Sequence, residues 1–260
     1  MKRIMGFLPL IAICMCSAAL AKSPFDGTWR LNVGKSQLTG DTMRFEDGGN
    51  GTLKYTDSTE SYTFEPDGSS FKTPIGDEEA YQKTSNNGYT HTIRRSGLLL
   101  VTEAWKLSPD GNTVVIESKG TRPNGDTFDD YETFVRTSAG TGLVGRWKST
   151  RVKATAPNTL TIQTAEKNDV TLTISAAKAT VQGQWNGRDY PYRGPTVPVG
   201  ATLALSKTGA RGFKAVMKLN GRVVQTLRFS VAADGQSMVN EGTDDHGKKL
   251  PFRQVWDKQS

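Results

Sequence analysis

Apolar and polar residues alternate along most of this chain, and Thr, Val, Tyr and Phe are frequent in the alternating runs. A period of two residues is typical of antiparallel strands that bury one face. Turn signals such as Pro66-Asp67-Gly68 and Asn86-Asn87-Gly88 separate the runs, at intervals of about 8 to 12 residues. The pattern contains no amphipathic helix of convincing length. It therefore predicts an all-β fold of short strands and tight turns that close into up-and-down barrels.

Two stretches of the chain begin with the same signal, Phe25–Arg30 (FDGTWR) and Leu143–Lys148 (LVGRWK). They lie about 118 residues apart, a period that indicates two copies of one domain rather than a solenoid of small units. The turns after each signal also follow in the same order. We therefore predict two repeats, at residues 22–140 and 141–260, and each should form an antiparallel barrel of about eight or nine strands.

The N-terminal segment predicts an export signal at residues 1–21. Lys2 and Arg3 precede an apolar run, and Ala19-Leu20-Ala21 supplies a small-residue cleavage site. A membrane anchor is the alternative, but the run of about 15 apolar residues is shorter than a bilayer span of about 20. Lipid attachment at Cys14 or Cys16 is a further alternative. Cleavage would place a protein without cysteines, and hence without disulfides, in the periplasm or outside the cell.

Charge is divided unevenly between the repeats. Residues 22–140 carry 13 Lys and Arg against 18 Asp and Glu, whereas residues 141–260 carry 18 against 8. A basic half can contact an anionic partner such as an envelope surface. The alternatives are that the acidic repeat faces the basic one, or that charge only keeps the protein in solution. Basic residues are not interleaved with exposed aromatics, so nucleic-acid binding is not expected.

One hairpin of each repeat can be assigned a register from its polar and apolar positions. A three-residue loop ending at Gly97 or at Gly221, each with positive φ, keeps the apolar side chains on one face. In the first repeat this register places Tyr89, His91, Glu103 and Trp105 inside, with Glu103 opposite Tyr89 and diagonal to His91. We interpret these four residues as candidate ligand-binding residues in a cavity with apolar walls. A satisfied buried His–Glu pair, or a register slipped by one residue, remains the alternative.

Catalytic and cofactor chemistry has little support in the sequence. Only His91 and His246 are present, at non-matching positions and without mature cysteines, so no metal site is predicted. Glu117 and Glu241 occupy corresponding positions and should point inward, where Glu103 would be a second acid of the first repeat. A hydrolase is therefore a third possibility. Phosphate-binding loops are absent, and no cofactor is expected.

The Gly-x-Trp signals at Gly27–Trp29 and Gly145–Trp147 resemble those of lipocalins and related calycins. In such proteins the tryptophan closes one end of the barrel and an arginine near the last strand packs over it. The resemblance implies that Trp29 and Trp147 are structural, with Arg136 covering the first tryptophan and Arg253 or Lys258 covering the second. The stretch Asn186–Tyr192 also resembles small exported bacterial proteins.

The sequence thus predicts an exported, non-enzymatic protein that binds a small, partly apolar ligand. The alternative is a structural or cell-envelope interaction module with side-chain-filled barrels and a basic second repeat. A cavity of roughly 300 Å³ or more in the first repeat alone would favour binding. Two filled barrels would favour the module.

Overall fold

A computed structural model of the protein describes residues 23–58 and 60–260. The predicted export signal, residues 1–21, lies outside the described residues. Two short 3-10 turns, Val33–Lys35 and Glu166–Asn168, are the helical elements of this described part. All other regular structure consists of β-strands.

The described residues form twenty strands, ten before residue 140 and ten after it. The first ten are β1 (Gly27–Leu31), β2 (Thr42–Gly49), β3 (Thr52–Thr56), β4 (Ser61–Phe64), β5 (Asp67–Lys72), β6 (Glu78–Ser85), β7 (Gly88–Arg95), β8 (Leu98–Leu107), β9 (Thr113–Thr121) and β10 (Thr127–Arg136). The second ten are β11 (Gly145–Lys153), β12 (Thr159–Thr164), β13 (Asp169–Ile174), β14 (Ala179–Gln184), β15 (Asn186–Arg193), β16 (Ala201–Gly209), β17 (Gly212–Leu219), β18 (Arg222–Val231), β19 (Ser237–Thr243) and β20 (Lys249–Lys258).

The strands form two antiparallel, barrel-like sheets of ten strands each. The first barrel contains β2 to β11 and the second, a closed barrel, contains β1 and β12 to β20. This confirms the predicted all-β, up-and-down architecture, with slightly more strands than the eight or nine expected. Short interruptions contribute to the larger number. Glu65 and Pro66 separate β4 from β5, because proline cannot donate a hydrogen bond to a strand ladder. Trp185 separates β14 from β15.

The two Gly-x-Trp strands are exchanged between the barrels. β1 lies between β12 and β20, whereas β11 lies between β10 and β2. Thus each Gly-x-Trp strand completes the barrel built mainly from the other half of the chain. The short connection 137–144 favours this arrangement, because it lets β11 pair directly with β10, as consecutive antiparallel strands commonly do. The repeat boundary near residue 140 therefore does not coincide with the division between the sheets.

The chain crosses between the barrels at residues 32–41 and 154–158. The first crossing lies along β20, where the backbone N–H of Asn32 donates to Val255 O at 2.8 Å. Gln37 and Arg253 also exchange two backbone hydrogen bonds of 2.8 Å each. These bonds anchor the crossing segment to the second barrel before it enters β2.

Trp29 and Trp147 are completely buried in closely similar surroundings. Their indole Nε1 atoms donate to the carbonyl oxygens of Phe25 at 2.9 Å and Leu143 at 2.8 Å. In both cases the accepting residue lies four positions earlier in the chain. The signal thus builds the same tryptophan-closed end in each barrel, which we call the lower end.

Because of the exchange, the cations that cover the tryptophans differ from those implied by the resemblance. The Arg136 guanidinium lies 4.1 Å from the ring centroid of Trp147, not over Trp29. Lys258 Nζ lies 5.0 Å from the Trp29 centroid, whereas Arg253 pairs with Glu241 across the sheet. Arg136 still belongs to the last strand of the first repeat. Its neighbour in the sheet is the exchanged strand β11, which brings Trp147 beneath it.

The predicted three-residue hairpin loops are wrong. Both hairpins have two-residue turns, Ser96-Gly97 and Asn220-Gly221, in which Arg95 pairs with Leu98 and Leu219 pairs with Arg222. The φ angles are 50° and 79° in the first turn and 50° and 81° in the second. Positive φ at both central positions is typical of a type I′ turn. Gly97 and Gly221 therefore have the left-handed conformation that the sequence predicted, but in a shorter turn.

A β-bulge follows each turn and restores the predicted inward faces. After the bulge of the first hairpin, His91 lies directly opposite Glu103 and Tyr89 opposite Trp105. The expected pairing of Glu103 with Tyr89 is therefore wrong by one step along the face. A bulge adds one residue to one strand. The later residues are thereby shifted by one position, so the apolar side chains share one face although the turn has only two residues.

The interiors of the two barrels differ in polarity. The second barrel encloses an apolar cluster that includes Trp29, Phe213 and Trp256. The lower half of the first barrel is filled by Phe45, Trp105, Trp147 and further apolar side chains. Its upper half instead contains buried polar and charged groups.

Candidate functional site

Three adjacent strands bring two glutamates to one buried histidine. Tyr81 of β6 pairs with His91 of β7, and His91 pairs with Glu103 of β8, so Glu79 lies one inward step from Tyr81. His91 Nε2 lies 3.0 Å from Glu79 Oε2, and His91 Nδ1 lies 2.9 Å from Glu103 Oε2. The side chains of His91 and Glu79 are 5% and 3% exposed. We call Glu79, His91 and Glu103 the ion triplet.

The geometry favours a doubly protonated imidazole in the ion triplet. A neutral imidazole has one donor and one acceptor nitrogen, whereas both ring nitrogens of His91 face carboxylate oxygens. Burial lowers the pKa of His91. The hydrogen bonds to Glu103 and Glu79 and the charges of these glutamates together outweigh burial, so the pKa is raised overall. Burial raises the pKa of Glu103, and its bond to His91 reverses this into a net decrease.

Further side chains donate hydrogen bonds to the same two carboxylates. Trp105 Nε1 donates to Glu103 Oε2 at 2.8 Å, and Ser118 Oγ donates to Glu103 Oε1 at 3.0 Å. The Tyr62 hydroxyl donates to Glu79 Oε2 at 2.8 Å. The Tyr81 ring stacks on the His91 ring, with centroids 3.9 Å apart and planes within 7°. These contacts fix the imidazole in a single orientation.

The structure thus brings together three of the four candidate ligand-binding residues. His91 and Trp105 are both hydrogen-bonded to Glu103, whereas Tyr89 lies lower in the barrel as the strand partner of Trp105. Sequence reasoning missed Glu79. Glu79 lies two residues before Tyr81, so the alternation of β6 places both on the same face of the sheet. The alternation does not predict that Glu79 contacts His91 of the next strand.

The prediction that Glu117 and Glu241 point inward is wrong. Trp105 pairs with Ile116, so Val114, Ile116 and Ser118 are the inward residues of β9 and Glu117 faces outward. Glu117 instead binds Lys119 at 2.7 Å and accepts the Tyr131 hydroxyl. Glu241 lies between the inward residues Asn240 and Gly242 and pairs with Lys249 at 3.3 Å.

The second barrel replaces the ion triplet with apolar residues. Its register pairs Leu205 with Ala215 and Ala215 with Leu227, as Tyr81 pairs with His91 and His91 with Glu103. The counterparts of Glu79, His91 and Glu103 are therefore Leu203, Ala215 and Leu227. All three lie in or against the apolar cluster of that barrel. The same sheet geometry accommodates both sets, which indicates that the ion triplet is not required for barrel closure.

Additional carboxylates line the upper half of the first barrel. Burial, followed by the charges of Glu79 and Asp57, raises the pKa of Glu60 to about 7. Burial, together with the charges of Asp41 and Glu103, raises the pKa of Glu132 to about 6. Burial and Asp57 also raise the pKa of Asp41. This half of the barrel therefore favours protons or other cations.

An apolar cavity of about 300 Å³ lies where the two barrels meet. The apolar part of its lining is Ile75 from the first barrel and Pro198, Ala201, Met217, Leu219 and Val224 from the second. Arg95 stands at its edge, held by Asp77 through hydrogen bonds of 2.5 and 2.6 Å. Arg95 also donates to the carbonyl oxygen of Thr196 and so links the barrels.

Fold and site together define an all-β protein of two ten-stranded barrel-like sheets with exchanged first strands and an ion triplet in one of them. Comparisons with models of protein families, with curated proteins and with solved structures find no match. Within the described residues, no helix has the length and apolarity needed to cross a membrane. That same part of the chain contains no group of three His, Cys, Asp or Glu side chains suited to a metal ion.

Proposed function

We propose that the protein is an exported, non-enzymatic binding protein that holds a small, partly apolar molecule in the cavity between its barrels. The observation that carries this proposal is the cavity itself, with a volume of about 300 Å³, mainly apolar walls and a few polar groups at its edge. Small-molecule sites commonly have this size and this mixture of surfaces. The cavity replaces the interior of the first repeat as the expected place of binding.

The lining suggests how such a ligand would be oriented. Met217, Leu219 and Val224 offer an apolar surface for the body of the ligand. Arg95, Lys218 and Asp245 supply the charged part of the lining, and a polar group of the ligand would lie beside them. Asp77 and Asp189 partly neutralise the two cations. Asp77 holds the Arg95 guanidinium in place, so little side-chain entropy would be lost on binding.

The ion triplet supports binding rather than catalysis. Both nitrogens of His91 are occupied by carboxylate oxygens, so neither has a free lone pair to accept a proton from a substrate. The lipocalin resemblance supports the same proposal. In each barrel a buried tryptophan closes the lower end and a cation covers it. Export to the periplasm or the medium is part of the proposal and rests on the N-terminal sequence.

A fluorescent apolar anion, 1-anilinonaphthalene-8-sulfonate, tests the proposed site. We expect saturable binding to the wild type, and loss of that binding when Ala201→Phe or Val224→Phe fills the cavity. Val115→Phe, on the exposed outer face of the first barrel, is the matched control and should bind as the wild type does. Equal binding by the filled and unfilled proteins, at retained melting temperature, would contradict the proposal. Native mass spectrometry of protein from its own host would identify the ligand.

A second candidate function is contact with an anionic envelope surface. It is favoured by the exposed arginines of the second barrel, including Arg188, Arg193, Arg222 and Arg228. Co-sedimentation with vesicles of anionic lipid, but not of neutral lipid, would support this function. An absence of sedimentation at low ionic strength would reject it, because screening is weakest there.

A further inference from the structure

We propose that the upper half of the first barrel is a second binding site, which takes an organic cation bearing ammonium or guanidinium groups. We call this region the acidic lumen and define it by Asp41, Glu60, Glu103, Glu132 and Ser149. It is separate from the cavity between the barrels, and its ligand would have the opposite charge to an anion held by Arg95. The two proposals can therefore fail independently.

The strand register directs Glu103, Glu132 and Ser149 to the interior, whereas Asp41 and Glu60 lie just before β2 and β4. Glu132 pairs with the buried Ile116, and Ser149 pairs with the buried Phe134. Glu103 faces Ser118, as described above. The interior here is not completely closed, because the Glu103 side chain is 17% exposed although it lies on the inward face. Solvent therefore reaches the edge of this layer.

The charges of the acidic lumen are not balanced by the chain. His91 supplies one positive charge to two glutamates of the ion triplet. Among the described residues, Asp41, Glu60 and Glu132 have no Lys, Arg or His nitrogen within 4 Å. Burying unpaired carboxylates is costly, and a bound cation would offset that cost. Burial is the largest cause of the raised pKa values of these three groups, although Asp41 is more exposed than Glu60 and Glu132.

Two buried oxygen atoms of this region lack a hydrogen-bond partner. Ser149 is 2% exposed, and its Oγ makes no hydrogen bond of normal geometry, although it lies close enough to Glu132 to lower the pKa of that carboxyl. Glu60 Oε2 is also buried without a partner. Unsatisfied buried polar atoms are rare in folded proteins. An ammonium or guanidinium group carries several N–H donors and suits such acceptors.

The arrangement favours an organic cation over a metal ion. A metal requires several ligand atoms around one point, and no such group occurs in the described part of the chain. The carboxylates are instead distributed around the lumen, which suits a cation with separated charges and an aliphatic spacer.

Isothermal titration calorimetry with spermidine tests this proposal. Spermidine should bind saturably at neutral pH, and Glu132→Gln or Glu60→Gln should weaken binding by about tenfold or more, since each removes a buried charge partner. Glu117→Gln removes an outward-facing glutamate of the same barrel and should leave the affinity unchanged. Ala201→Phe, which fills the other cavity, should also have no effect.

Other titrants separate the remaining explanations. The neutral diol 1,4-butanediol should not bind, and magnesium chloride should not compete with spermidine beyond the effect of its ionic strength. The proposal is overturned if spermidine does not bind saturably, if the Gln variants and Glu117→Gln bind it equally, or if magnesium binds as tightly. Thermal melting verifies that each variant is folded. If Glu132→Gln does not fold, Glu60→Gln provides the same comparison.

Discussion

Replacing His91 with alanine tests the energetic description of the ion triplet. The change removes the cation that lies between Glu79 and Glu103, whose oxygens are 3.0 and 2.9 Å from the ring nitrogens. Breaking a buried ion pair from one side costs about 3 to 5 kcal/mol, because the remaining charge is uncompensated. Trp105, Ser118 and Tyr62 still satisfy the glutamates, so we expect the lower end, a loss of about 3 kcal/mol.

The second barrel supplies the matched control. The triple change Glu79→Leu, His91→Ala and Glu103→Leu installs the residues found at the corresponding positions there, Leu203, Ala215 and Leu227. A buried ion pair replaced by packed apolar groups is often neutral or stabilising. We expect the triple variant to recover most of the stability that His91→Ala loses.

Urea unfolding monitored by tryptophan fluorescence and by near-ultraviolet circular dichroism measures both variants. The difference in free energy of unfolding between wild type and His91→Ala should also depend on pH. The raised pKa of His91 means that its contribution is fully present below 6.5, its unfolded value, and is lost as pH rises through the folded value. The lowered pKa of Glu103 means that its contribution is present above 4.5 and is lost as pH falls through its folded value. The difference should therefore be largest between these two limits.

Two results would refute this reasoning. A loss of less than about 1 kcal/mol for His91→Ala would show that the buried charges are already well solvated. A triple variant no more stable than His91→Ala would show that the upper layer cannot accept the apolar set. In that case the correspondence between the two barrels would not extend to packing.

Three further predictions follow from single features. Glu132→Gln should remove a pH dependence of the free energy of unfolding. The folded pKa of about 6 exceeds the unfolded value of 4.5, so wild-type stability should fall by at most about 2 kcal/mol as pH rises through this range. Urea titrations of both proteins at pH 4 and pH 8 measure this, and the same pH dependence in wild type and variant would contradict it. Gly221→Val should cost more than about 1 kcal/mol because a β-branched residue resists positive φ, and an unchanged melting temperature would count against the type I′ turn. A chain that begins at residue 42 should retain the first barrel and lose the second, and a synthetic peptide covering residues 23–36 should restore it. Amide hydrogen exchange distinguishes the barrels, and equal protection of β12 and β20 with and without the peptide would reject the exchange of β1.

Local sequence signals predicted much of the fold. The alternation of apolar and polar residues defines strands because successive side chains point to opposite faces. The Asn-Gly and Ser-Gly turns and the Gly-x-Trp signals likewise act through residues close in sequence. Gly27 and Gly145 also meet the tertiary structure, because the cations that cover the tryptophans pass close to them. Each has a positive φ, and a Cβ there would lie 2.7 Å from Lys258 Cε or 2.8 Å from an Arg136 guanidinium nitrogen.

The candidate site was predicted only in part, because local signals define the face of a side chain but not its partner on a neighbouring strand. His91 and Glu103 lie on consecutive strands, so their shared face could be deduced, but a bulge changed which residue stands opposite which. Glu79 joins them from another strand, and its distance to His91 depends on the register of a separate hairpin. Small register errors move a side chain by a whole step along the sheet. Sequence alone therefore gave the face and not the ion triplet.

The sequence by itself determined that this protein is all-β, that it carries two similar halves, and that tryptophans anchor both. Only the tertiary structure decided that β1 and β11 are exchanged, because either barrel offers the same kind of edge to either strand. The short connection after β10 brings β11, the nearer of the two strands, to the first barrel. The same holds for the cavity between the barrels. It is lined by turns and strands distant in the chain, and no local pattern records that they meet.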